Sequence, residues 1–281
     1  MKNKSKLTLC ILFAAAAFFA IFGGICLYYG LLGEYDDALG HFARDAFFAP
    51  ISYVCLALGA MIGIAGWILF SKREALDEDF AGGVVYKIIN IAIALSVLFD
   101  VFMQVRAGFA SVPVKGKVFF FASLAFEALS VVFFLVSAIL RRRGEKASAL
   151  VSLLSFAPVI FCALRVLYMY FDQTVAVNSP VKLICQLTYI VYMLTFCAET
   201  GLSLGRGKIY PRYIFALSCG VTVGGVGSIA ALAAYILGTD ATMLVGTDAP
   251  LKVLMFIYCA YALVAAMNIE TREKTKETTK E

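Results

Sequence analysis

Four of the chain's six prolines stand at one kind of place, after a polar connector and at the start of an apolar run. The signatures are Ala49-Pro50-Ile51-Ser52, Val112-Pro113-Val114-Lys115, Ser179-Pro180-Val181-Lys182 and Ala249-Pro250-Leu251-Lys252, with the prolines 63, 67 and 70 residues apart. Each run that follows is about 20 residues long, which is the length that spans a bilayer. Proline suits a first helical turn because the N–H it lacks has no partner there. One more apolar run precedes each signature. The pattern predicts eight transmembrane helices arranged as four tandem helical hairpins in an all-α integral membrane protein.

Composition agrees. Apolar residues make up 62% of the 281-residue chain and charged ones 15%, against roughly half and a quarter in soluble domains. The spans are read at about 7–31, 50–70, 84–106, 117–140, 148–171, 181–204, 213–237 and 251–268. The hairpins then cover about 7–70, 84–140, 148–204 and 213–268, all one transmembrane domain over 1–281, with a charged cytoplasmic tail at 269–281. The stretch Met1 to Lys6 followed by an apolar segment also fits a signal peptide. The run extends to Leu32, however, longer than a signal core, so the first span is expected to be kept.

The net charge of +5 is distributed by side rather than by patch. With the N-terminus in the cytoplasm, 16 Lys and Arg fall in inner segments and 6 in outer ones. This bias predicts that both termini are inside. A nucleic-acid-binding face is not expected, because the basic residues lie at alternate ends of apolar runs. The even spans end in basic stops, among them Ser71-Lys72-Arg73 and Arg141-Arg142-Arg143. The repeat unit is therefore a helix out, a loop, a proline, a helix back and a basic stop, and the units run parallel to one another.

Charged groups inside a bilayer cost about 2.5–3.5 kcal/mol each on insertion scales and are expected to have partners. Asp100, Glu127, Arg165 and Glu199 are the candidates for a substrate-binding site. Asp100 and Arg165 hold matching places in the third and fifth spans, each about 9–10 Å below the outer edge at 1.5 Å per residue. A pair between them is expected, with Glu127 close enough to share the guanidinium. Two acids around one base leave an excess negative charge, which favours a proton or a cationic ligand. The same charges also fit a purely structural ion pair that fixes helix register. Glu199 lies near the inner end of the sixth span, where Lys87 is at similar depth. Asn90, Gln104 and Gln186 read as interhelical glue.

Small residues at four-residue spacing, Gly59 and Gly63, Ala20 and Gly24, and the run Gly220 to Gly227, allow helices to approach closely. Their faces suit packing within one chain or a homodimer seam. Pro158 is expected to kink the fifth span before Arg165. The loop around His41 reads as a short interfacial turn, and Glu270–Glu281 as a solvated helix end or disorder.

No enzyme activity is expected. There is one histidine, His41, and no HExxH, GxSxG or P-loop. The eight cysteines form no CxxC pair, so neither a metal site nor a cofactor is expected. The stretch Ser179-Pro180-Val181-Lys182 through Gln186, with Glu199, Gly205-Arg206 and Pro211-Arg212, resembles multi-pass membrane proteins of anaerobic Firmicutes that have no assigned activity. The likeness covers about a quarter of the chain. It implies a bacterial plasma-membrane location and no particular chemistry. The expected partners are the lipid bilayer and a small charged solute. Two functional readings remain: a small-solute or ion-coupled transporter, and a non-transporting scaffold or accessory subunit.

Overall fold

The computed structural model describes residues 2–36, 40–75, 83–107, 116–141, 148–171, 179–237, 248–269 and 271–273. The signature at Pro113, the stop residues Arg142 and Arg143, and the tail from residue 274 lie outside the described residues. The helices are α1 (Lys2–Gly33), α2 (Phe48–Phe70), α3 (Val84–Ala107), α4 (Lys117–Leu140), α5 (Ala149–Leu154), α6 (Phe156–Phe171), α7 (Pro180–Ser203), α8 (Tyr210–Leu237) and α9 (Ala249–Ala266). With α5 and α6 taken as one span, eight helical segments are long and apolar enough to cross a membrane. The chain is an all-α polytopic membrane protein.

Pro180 and Pro250 occupy the first turns of α7 and α9, and Pro50 that of α2. The fifth span is not one helix. It breaks at Ser155, between α5 and α6. Pro158 has no N–H for the Leu154 carbonyl and its ring crowds that group, so the ladder is interrupted one turn before the proline. The Ser155 hydroxyl donates to the Ser152 carbonyl at 2.7 Å, and the Thr200 hydroxyl donates to the Ser155 carbonyl at 3.3 Å.

Six helices form a closed ring. α3 packs on α4, α4 on α6, α6 on α7, α7 on α8, α8 on α9, and α9 returns to α3. α1 and α2 pack on each other and both pack on α8, which is buried over most of its length. Small residues make that burial feasible. A Cβ added to Gly59 would run into Thr222, one on Gly63 would lie 2.5 Å from Cys219 Sγ, and one on Gly225 would lie 2.7 Å from Ala20. On the far side of α8, a Cβ on Gly224 would lie 2.7 Å from the Tyr192 ring and one on Gly220 2.7 Å from Cys259 Sγ. The small-residue faces of α1, α2 and α8 are therefore filled within one chain, and a seam between copies would need other surfaces.

Two short β ladders correct the sequence reading of the connectors. β1 (Tyr35–Asp36) pairs antiparallel with β2 (His41–Phe42), so the His41 loop is a hairpin. β3 (Arg73–Ala75) pairs antiparallel with β4 (Thr271–Glu273), so the start of the charged tail is a strand. Gly207 packs directly on the Ala75 carbonyl, where no Cβ fits. The Cys10 thiol lies 3.5 Å from Met267 Sδ. The beginning of α1 and the end of α9 thus share one face of the bundle.

Candidate functional site

Polar groups converge at two levels of the ring. The first lies toward the C-terminal ends of α3 and α6 and the N-terminal ends of α4 and α9. Gln104 Nε2 donates to Asp100 Oδ2 at 2.9 Å and to Glu127 Oε2 at 3.1 Å. One amide nitrogen therefore holds two carboxyl groups side by side. Arg165 Nη2 stands 3.4 Å from Asp100 Oδ2 and 3.7 Å from Asp248 Oδ2. Asp248, the N-cap of α9, accepts from the Tyr189 hydroxyl at 2.6 Å and from Lys252 Nζ at 3.1 Å. The ammonium of Lys252 lies 6.0 Å from the Tyr189 ring centroid and 3.9 Å from Cys185 Sγ. Asp100 and Glu127 are fully buried, Lys252 is 1% exposed and Arg165 8%.

The expected Asp100–Arg165 pair is present, and Glu127 is joined to it through Gln104. Asp248, Lys252 and Tyr189 were not anticipated. Lys252 and Lys182 stand just inside α9 and α7 and are 1% and 2% exposed. A charge just inside a span looks like a loop charge in a linear count. Asp248 and Lys252 reach the site through Arg165 of α6 and Tyr189 and Cys185 of α7.

This first cluster is incompletely paired. Among the described residues it joins three acids to two bases, and Glu127 Oε1, Gln104 Oε1 and Arg165 Nε make no hydrogen bond there. A buried polar atom left so costs about 1–3 kcal/mol.

The second level lies at the opposite end of α4. Glu199 does not use Lys87, which is exposed. Its partner is Arg141, whose Nη1 donates to Glu199 Oε1 at 2.7 Å and to the Tyr86 hydroxyl at 3.0 Å. The Tyr258 hydroxyl donates to Glu199 Oε2. The rings of Tyr86 and Tyr258 lie 6.3 Å apart, and Phe196 lies 5.6 Å from Tyr258. Glu199 and Arg141 are each 3% exposed. Arg141 was expected to be a topological stop in the basic run. It folds back into the bundle because Glu199 is buried there and needs a cation.

The two levels separate the four predicted residues. Asp100, Glu127 and Arg165 belong to one site, and Glu199 belongs to the other. Among the described residues, no group of three His, Cys, Asp or Glu side chains is placed to hold a metal ion.

Fold and site together define a polytopic membrane protein with a charged cluster inside its helix ring. No protein family, curated protein or solved structure matches the chain.

Proposed function

We propose that the protein transports a small charged solute or couples transport to an ion, in a bacterial plasma membrane with both termini in the cytoplasm. The observation that carries this reading is the buried Asp100–Glu127–Arg165–Asp248–Lys252 cluster, with one acid in excess and unpartnered atoms on Glu127, Gln104 and Arg165. A structural ion pair would be expected to close on itself. This cluster leaves acceptor oxygens on Glu127 and Gln104 open toward a cation-bearing solute or a proton. Its groups come from α3, α4, α6, α7 and α9, so a shift of any of these helices changes the site. That coupling is what a transporter needs. The shared face of the first and last helices and the basic bias of that face support the orientation.

The second reading is a scaffold or accessory subunit. The compact Arg141–Glu199–Tyr258 arrangement favours it, because that level is a tie between helices with both carboxylate oxygens served.

Thermal melting in detergent, with a panel of inorganic monovalent cations, small amines and cationic amino acids, tests the choice. A ligand at 100 times its Kd is expected to stabilise the folded protein by about 2.7 kcal/mol. Asp100→Asn and Arg165→Ala are expected to abolish the shift. A panel that moves neither wild type nor variants would favour the scaffold.

A further inference from the structure

Ser123, Glu127, Ser130, Phe134, Ser137 and Arg141 follow one another along α4 and its C-cap at alternating intervals of four and three residues. That rhythm keeps side chains on one helical face, and every one of these residues is at most 3% exposed. α3 runs antiparallel beside it. Gln104 meets Glu127 near one end of the seam, and Tyr86 meets Arg141 at the other. Asn90, one turn from Tyr86, is fully buried and donates to the Tyr86 carbonyl at 2.8 Å. From Glu127 to Arg141 the rise along α4 is about 21 Å, most of the thickness of a bilayer core.

A face that only packed would have its hydroxyls returned to its own backbone, as Ser130 does to the Phe126 carbonyl at 2.7 Å. Among the described residues, Ser123 Oγ and Ser137 Oγ make no such bond, and Asn90 Oδ1 and Glu127 Oε1 are equally without a hydrogen-bond partner. These are four buried, unsatisfied polar atoms in two adjoining helices, distributed along the length of the seam. Buried sites with two or more such groups are where water is held. The polar face is interrupted at Phe134. Its ring is fully buried and packs edge-on against Phe196 at 5.8 Å, and Phe196 packs in turn on Tyr258, the donor to Glu199.

We propose that the α3–α4 seam is a proton path joining the Asp100–Glu127 pair to the Glu199–Tyr258 pair, with the Phe134 ring as its constriction. The proposal rests on the transport reading and names the proton as the coupling ion. The groups facing Glu127 are Asp100 and Gln104 from α3 and Arg165 and Cys162 from α6. A proton taken by the Glu127 carboxyl passes along water held by Asn90 Oδ1 and the Ser137 hydroxyl. Each transfer breaks one O–H bond and makes another. Arg141 holds the exit acid Glu199 in place.

The test is proton flux into vesicles of defined phospholipid that contain the full chain and a trapped pH dye, driven by a potassium diffusion potential. Wild type is expected to exceed protein-free vesicles by a small margin, because Phe134 limits the path. Phe134→Ala and Phe134→Ser are expected to raise the flux several-fold. Glu127→Gln, alone or combined with either, is expected to return it to the protein-free level. Two variants of Phe134 guard against one failing to fold, and wild type against Glu127→Gln is a comparison that needs neither. Flux at the protein-free level in wild type and in every folded Phe134 variant overturns the proposal, as does flux that survives Glu127→Gln. The melting panel on the same preparations separates the two ideas. Solute stabilisation without proton flux sinks the path and leaves transport standing. Proton flux without any solute effect sinks the solute reading and leaves a proton conductor.

Discussion

Arg141 and Glu199 meet at 2.7 Å across the end of the bundle, joining the C-cap of α4 to the last turns of α7. Both side chains are nearly excluded from solvent, so removing one strands the other as a buried charge. That loss costs about 3–5 kcal/mol, whereas replacing both by apolar residues of similar size is often neutral. Arg141→Ala and Glu199→Gln are each expected to lower the thermal midpoint in detergent strongly. Arg141→Met combined with Glu199→Leu is expected to recover much of the loss. Equal midpoints for all three variants would show that the pair holds nothing together.

Asp100 and Arg165 look like a simple pair in sequence, and exchange of their charges would then restore folding and binding together. The structure predicts otherwise. Arg165 Nη2 also lies 3.7 Å from Asp248, and Asp100 shares the Gln104 amide with Glu127. In Asp100→Arg with Arg165→Asp, the new acid faces Asp248 and the new base is beside Glu127. Stability is expected to recover only in part over the single variants, and ligand-dependent melting not at all. A full rescue of both would mean that Asp248 and Glu127 are spectators.

Glu34 sits just past α1 and caps α2 from outside that helix. Its carboxylate accepts from the backbone N–H groups of Phe47, Phe48 and Ala49 at 2.7–3.1 Å. Burial pushes the carboxyl up, but the three N–H groups outweigh it and hold the group below the ordinary glutamate value. The folded value lies below the unfolded one. The stabilisation is therefore present above the unfolded value and is lost as pH falls through the folded one. Glu34→Ala is expected to cost about 1 kcal/mol at neutral pH, as loss of a helix cap does. The difference from wild type should shrink on acidification below the glutamate range. A constant difference between pH 7 and pH 3, measured by melting, would exclude the carboxylate as the cap.

Much of the frame was legible from apolar run length, and α2, α3, α4 and α7 begin and end within two residues of the spans read from sequence. The Asp100–Arg165 pair was legible from depth alone, since both fall at the same level of the third and fifth spans. The partner of Glu199 was not. Depth put Lys87 level with it, but only packing decides which cation turns inward, and Arg141 looked like one more residue of a stop sequence. The four-three rhythm from Ser123 to Arg141 was readable and was missed, because serines in a span look like packing residues until their hydroxyls are found without acceptors. The break at Ser155 could be anticipated from Pro158 but not placed, since the Ser155 carbonyl there is served from another helix, by the Thr200 hydroxyl.

The α2–α8 seam gives the sharpest test of packing. Gly63 faces Cys219 and Phe215, with 2.5 Å between an added Cβ and the thiol sulfur and 3.1 Å to the Phe215 ring. Gly33, at the end of α1, has nothing within 4 Å of an added Cβ. Because α8 is enclosed by α1, α2, α7 and α9, it has nowhere to retreat, and a larger residue at position 63 must push α2 outward into lipid. Gly63→Leu is expected to destabilise by about 1–3 kcal/mol, the usual range for overpacking, and to loosen α2 from α8. A crosslink between cysteines introduced at the end of α2 and the facing part of α8, in a chain that keeps Cys219, would read that loosening directly. Gly33→Ala meets no neighbour and is expected to leave the midpoint unchanged. If the two substitutions shift the midpoint equally, the close approach of α2 to α8 is wrong, and with it the placement of α8 at the centre of the fold.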